Sequence, residues 1–232
     1  MSELQVNEFA SRELLDQNLA KVVAEKLAAA IKSRGKAVLV VSGGSTPINF
    51  FQLLSRESLE WPKVTITLAD ERWVENGDDA SNEKMLRDKL LVNCASEADF
   101  LALKTADENA ELGAEALDAK LRELGTFDVL ILGMGGDGHT ASLFPGADAL
   151  ELGLDRQSGK SCLAVQPLTA PHQRISMTLP RLLDAQQIII HITGNEKMQV
   201  LRKAEKLKDP ALLPISSVLL QDETPVTVYW AN

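Results

Sequence analysis

Cysteine and histidine are scarce in this chain of 232 residues, with two of the first and three of the second. Cys94 and Cys162 form no CxxC pair, and the histidines are dispersed. No metal-ligand spacing results, so no metal is expected. The two cysteines read as reduced, mostly buried thiols of a cytoplasmic protein. The G-x-S-x-G elbow of many serine hydrolases is missing. Long apolar runs are missing too. Stretches such as Val129–Leu132 and residues 188–190 fall far short of the roughly 18 residues a bilayer span requires, so no membrane association is expected. Basic charge is in deficit, with 24 Lys and Arg against 33 Asp and Glu, a net −9. Nucleic acid and anionic membranes want a basic face, so neither is an expected partner. An anionic small molecule would need locally concentrated base. Residues 1–8 carry acid where a secretory signal would carry base, and no export is expected. Internal repeats and low-complexity segments are absent as well.

What is present alternates between two periods. Leu15, Leu19, Val22, Val23, Leu27 and Ile31 recur at helical spacing over residues 11–34, with Gly35 placed to stop the helix. Ala37–Val41 is a short β-branched run ended by glycine, a buried strand. Further strands are expected at residues 64–69, 128–132, 188–192 and 226–230. Further helices are expected at residues 47–54, from Ser81, at 107–124 and at 196–206. Residues 146–160 read as one irregular surface loop. Strand alternating with helix predicts a largely parallel sheet covered on both faces, in one α/β domain over residues 1–232.

Ligands of such a sheet bind beyond the carboxyl ends of its strands. Four ends carry glycine or functional polar groups: Ser42-Gly-Gly-Ser-Thr-Pro47, Asp70-Glu-Arg72, Gly133-Met-Gly-Gly-Asp-Gly-His-Thr140 and Thr193-Gly-Asn-Glu-Lys197. Gly43 and Gly44 let backbone approach a ligand, Ser45 or Thr46 suits an N-cap, and Pro47 suits the first helical position. This is either an anion site at a helix N-terminus or a tight turn without a ligand. Gly133–Gly138 formally matches G-x-G-x-x-G, but the acidic strand end of a dinucleotide fold is lacking near Asp155. Asp137 and His139 suit a carboxylate-supported proton acceptor, or else an Asp capping a turn beside a solvated His. His191 reads as a core or edge residue and His172 as a loop residue. Arg72, Arg174 and Lys197 are solvated charges unless they converge, in which case they hold a dianionic phosphate despite the overall charge.

Together with Ser81-Asn82, Arg174-Ile-Ser176 and the thirteen-residue stretch Gly133-Met-Gly-Gly-Asp-Gly-His-Thr-Ala-Ser-Leu-Phe-Pro145, these motifs resemble the 6-phosphogluconolactonase family. They come in that family's order and cover essentially the whole chain. The resemblance implies the three-layer α/β/α fold, with a largely parallel sheet, that the family shares with glucosamine-6-phosphate isomerase/deaminase. It implies hydrolysis of 6-phospho-D-glucono-1,5-lactone, a sugar-phosphate lactone, to 6-phosphogluconate without a cofactor. The isomerase has an Asn-Glu-Pro segment a few positions beyond its Asp-Gly-His; here the stretch reads Ser142-Leu-Phe-Pro145, with no acid. That departure favours lactone hydrolysis. A non-catalytic sugar-phosphate sensor on this architecture would be expected to carry a DNA-binding module, for which one domain filling 232 residues leaves no room. On the lactonase reading His139 is the general base on water and Asp137 supports it. Amides around Gly135 and Gly136 meet the oxyanion. Gly43, Gly44, Ser45, Thr46, Arg174 and Lys197 hold the phosphate, and Asp70 and Arg72 face either the sugar hydroxyls or the phosphate.

Overall fold

Every residue of Ala37–Val41 and of Val129–Leu132 is buried, as are the first five of Ile188–Thr193, so these strands are covered on both faces. In the computed structural model, which describes residues 4–232, they form the middle of a parallel sheet. In chain order the first half contains β1 (Gln5–Phe9), α1 (Arg12–Arg34), β2 (Ala37–Val41), α2 (Ile48–Leu54), β3 (Val64–Leu68), β4 (Asp70–Arg72), α3 (Asn82–Lys89), β5 (Asp99–Leu101) and α4 (Ala110–Glu123). The second contains β6 (Val129–Leu132), α5 (Leu150–Leu154), β7 (Cys162–Val165), β8 (Arg174–Met177), α6 (Leu179–Leu183), β9 (Ile188–Thr193), α7 (Asn195–Leu207), α8 (Ile215–Leu219) and β10 (Val226–Ala231). Residues 1–3, part of the segment read for export, lie outside the described residues.

Seven strands pair in the order β1-β10-β9-β6-β2-β3-β5, all parallel. From β2 the chain runs outward through β3 to β5, then returns to β6 and runs the other way. The reversal falls between β2 and β6, where the loops at the carboxyl ends diverge and leave a crevice. Ser11 caps α1 by accepting the Leu14 N–H at 3.2 Å, and Gly35 at φ +78° ends it, as the sequence predicts. The buried face of α1 carries Leu15, Leu19, Val23, Leu27 and Ile31, which join the single large core around the sheet.

The structure adds a second sheet that the sequence reading lacks. The strands β4, β8 and β7 pair antiparallel, with Asp70 opposite Ser176 and Arg72 opposite Arg174. The triplet Asp70-Glu-Arg72 is therefore a strand and not a loop. Residues 146–160 are also not wholly irregular, since Leu150–Leu154 is helical and Ala147 and Leu150 are buried. Of the two thiols expected to be buried, Cys162 is, and burial pushes it up to about 12; Cys94 is exposed.

Candidate active site

The first wall of the cleft grows from β2. Gly43 passes so close to Asn82 that a Cβ there would lie 2.0 Å from Asn82 Oδ1. Asn82 is itself held by donating to the Asp70 carbonyl at 2.9 Å. Gly44 sits at φ +100°, the left-handed region that favours glycine. The helix α2 then starts at Ile48 with Pro47 as its N-cap and no side-chain cap, so neither Ser45 nor Thr46 caps it. Both residues line the cleft instead. Among the described residues, no amide of residues 43–46 donates to the protein.

The second wall is the loop after β6. The Gly135 N–H donates to the His139 carbonyl at 2.8 Å, Gly138 N–H to the Gly135 carbonyl at 3.1 Å, and Thr140 Oγ1 to the Gly133 carbonyl at 2.9 Å. These bonds close a tight turn that presents His139 to the cleft. Nδ1 of His139 lies 2.6 Å from Asp137 Oδ1, which also accepts the His139 N–H at 3.1 Å. A carboxylate on Nδ1 selects the tautomer with its proton there and leaves Nε2 as an acceptor. Burial pushes the Asp137 carboxyl upward, but His139 and the amide hydrogen bond outweigh it and hold the group below its ordinary value. The imidazole lies against Gly135, where a Cβ would come within 2.1 Å of Nδ1. Nearby the Phe144 ring lies with its centroid 4.2 Å from the imidazole's. The loop starts no helix before α5, so the G-x-G-x-x-G match does not build a dinucleotide site.

The small sheet supplies charge. Arg72 and Arg174, paired across β4 and β8, both line the cleft, as does Lys197 in the first turn of α7. Arg174 donates to the carbonyls of Pro171 (3.2 Å) and His172 (3.4 Å), and its guanidinium carbon lies 5.6 Å from the Phe144 ring centroid. Arg72 donates to the Ala80 carbonyl at 2.5 Å, while its buried Nε has no partner. Lys197 Nζ donates to the Met134 carbonyl at 2.8 Å. Burial lowers the pKa of Arg174 and of Lys197, and Arg72 adds to the effect on Arg174. Asp70 lines the cleft with one oxygen, Oδ2, accepting from Ser142 Oγ at 2.5 Å. Beside it Glu71 is buried and caps α3, accepting from the amides of Asn82 and Glu83.

The cleft measures about 320 Å³, and ten of the twelve residues singled out from the sequence line it. Asp137 and Gly136 do not; Asp137 stands behind His139. The Gly135 amide, expected to face an oxyanion, is engaged within its own loop. Residues missed by the sequence reading are Ser142, Phe144 and His191. The last carries a readable signal, a polar residue inside an isoleucine run. No cluster of three His, Cys, Asp or Glu able to hold a metal occurs among the described residues.

Known proteins fit this geometry. A 6-phosphogluconolactonase of Rhizobium meliloti (strain 1021) is 43% identical, covering 96% of this chain and 97% of its own length. One from Pseudomonas putida is 42% identical, covering 98% and 93%. The crystal structure of a 6-phosphogluconolactonase from Shewanella baltica OS155 superposes with a TM-score of 0.96 at 46% identity, covering 100% of this chain and 99% of that one. The family described as glucosamine-6-phosphate isomerases/6-phosphogluconolactonase matches residues 10–230, and this chain belongs to it.

Proposed function

We propose that the chain hydrolyses 6-phospho-D-glucono-1,5-lactone to 6-phospho-D-gluconate, the second step of the oxidative pentose phosphate pathway. The observation that carries the reading is a carboxylate-tethered imidazole facing the same cleft as three cationic side chains in a protein of net charge −9. The phosphate lies against the amides of Gly43, Gly44, Ser45 and Thr46 and is neutralised by Arg72, Arg174 and Lys197. Asp70, repelled by that phosphate, faces the sugar hydroxyls. Nε2 of His139 removes a proton from water as it attacks the lactone carbonyl. Asp137 stabilises the imidazolium, which returns the proton to the departing ring oxygen. With the Gly135 amide engaged in its own loop and Gly136 outside the cleft lining, neither is assigned to the oxyanion. No cofactor enters this scheme.

One base positioned this way contributes roughly 10²–10⁴-fold. With lactone generated in situ and spontaneous hydrolysis subtracted, His139→Ala is expected to lose kcat by about that factor. Arg174→Ala and Lys197→Ala are expected mainly to raise KM, because phosphate is bound alike in ground and transition states. Near wild-type turnover by His139→Ala would overturn the base assignment. Isomerisation of glucosamine 6-phosphate is disfavoured by the absence of acid in Ser142-Leu-Phe-Pro145, where Ser142 is spent on Asp70. A bare sensor has no use for the Asp137–His139 pair. The reading places one domain over residues 1–232 in the cytoplasm, with no nucleic acid partner. Among the described residues no helix is long and apolar enough to cross a membrane.

A further inference from the structure

The first five residues of β9 are isoleucine except for His191. It is 3% exposed and lines the cleft, yet neither ring nitrogen makes a hydrogen bond and both are shut off from solvent. Nε2 lies 3.2 Å from Oδ1 of Asp16 on α1, out of line for a hydrogen bond. Asp16 is buried too, and its Oδ2 accepts from Asn49 Nδ2 at 2.9 Å. Asn49 belongs to the first turn of α2, the helix that follows the 43–46 loop. Phe50 meets the imidazole edge-on, centroids 6.0 Å apart. Tyr229 is the register neighbour on β10, and burial raises its phenol further above neutrality. Arg72, Arg174, Lys197, His139 and Asp70 line the same cleft.

For packing alone another isoleucine would serve at this position. A buried imidazole without hydrogen bonds carries the desolvation penalty of its ring nitrogens, and a buried carboxylate with one donor adds to that. A single proton on His191 converts the two defects into an ion pair that joins β9, α1 and α2 at the root of the 43–46 loop. We propose that His191 is a positioning residue for the anion in the cleft. With an anion bound, His191 holds a solvent-derived proton against Asp16 and fixes α2 and the loop before it; on anion release the proton returns to solvent. Coupling of this kind is reciprocal, so anion affinity must fall when His191 gives up that proton. The inference deepens the reading of the cleft as a phosphate site and rests on it.

The probe is sulfate, which stays dianionic over the pH range of about 5 to 8 where histidine titrates. With three histidines in the chain, the ring Cε1–H NMR spectrum holds three signals, and His191→Gln assigns one. Sulfate is expected to move the His191 midpoint upward in wild-type protein, and sulfate inhibition of lactone hydrolysis to weaken on the order of 10-fold across that range. In Asp16→Asn, which retains every histidine, the His191 signal should no longer follow sulfate. That variant carries the test if His191→Gln does not fold, with assignment through His139→Gln and His172→Gln. A His191 signal indifferent to sulfate, while sulfate still inhibits, overturns the proposal alone. Absence of sulfate inhibition in the wild type overturns the phosphate site and the proposal together.

Discussion

Phe144 touches both halves of the site. Its ring lies 4.2 Å, centroid to centroid, from that of His139 and 5.6 Å from the Arg174 guanidinium carbon. With Ala147, Leu163 and Val165 it forms a small apolar cluster apart from the main core. Its position is therefore set by packing, and it sets in turn the separation between His139 and Arg174. Replacing Phe144 by leucine keeps the cluster apolar and removes both ring contacts. Misplacing a reacting group by about 1 Å costs up to about 10²-fold. Phe144→Leu is expected to lower kcat by on the order of 10-fold and to raise KM, in steady-state lactone hydrolysis. A change in KM alone would show that the ring serves only Arg174.

At the scale of elements, glycine decides how the walls approach each other. The contact of Gly43 with Asn82 ties the β2–α2 loop to α3, leaving no space for a methyl group. Gly43→Ala must push the two apart, an overpacking that costs about 1–3 kcal/mol and shifts the unbonded amides of the loop. Urea unfolding should report the destabilisation and a raised KM the displacement; unchanged values of both would refute the tight contact. The elements that were legible in the sequence, β2, β3, β6, β9, β10 and the long helices, announce themselves by apolar runs or helical spacing. Three-residue β4 cannot, because Asp70-Glu-Arg72 reads as a polar loop until Ser176, Ile175 and Arg174 are laid beside it. Edge strand β1, partly exposed along its length, hides for the converse reason, having no buried face to pattern. The same holds within the site. Glycines, Arg72, Lys197 and the Asp137–His139 pair are legible because they follow strands, whereas Arg174 opens β8. Phe144 is not, because its task depends on where two other side chains stand. His191 reads from the sequence as a core or edge residue, and its burial on an interior strand makes it core; only its unused nitrogens set it apart.

For the molecule as a whole, acid sensitivity follows from the depressed Asp137 carboxyl. A folded value below the unfolded one gives stability that is present above the unfolded pKa, about 4, and is lost as pH falls through the folded value. Wild type should therefore exceed Asp137→Asn in urea midpoint at pH 7, and the gap should narrow steadily below about pH 4. A gap that stays constant into acid would mean that the carboxylate charge is not what the fold uses.

The two sheets contribute unlike things to the cleft. Loops of the parallel sheet bring glycines, bare amides and the imidazole, whereas the antiparallel strands bring Asp70, Arg72 and Arg174 as a register-paired set. On the proposed reading both sheets meet the phosphate, and the parallel sheet alone brings the imidazole. A descendant of this protein could retune the charge its cleft presents by rewriting a few positions of β4 and β8, while the loops of the parallel sheet keep the imidazole in place.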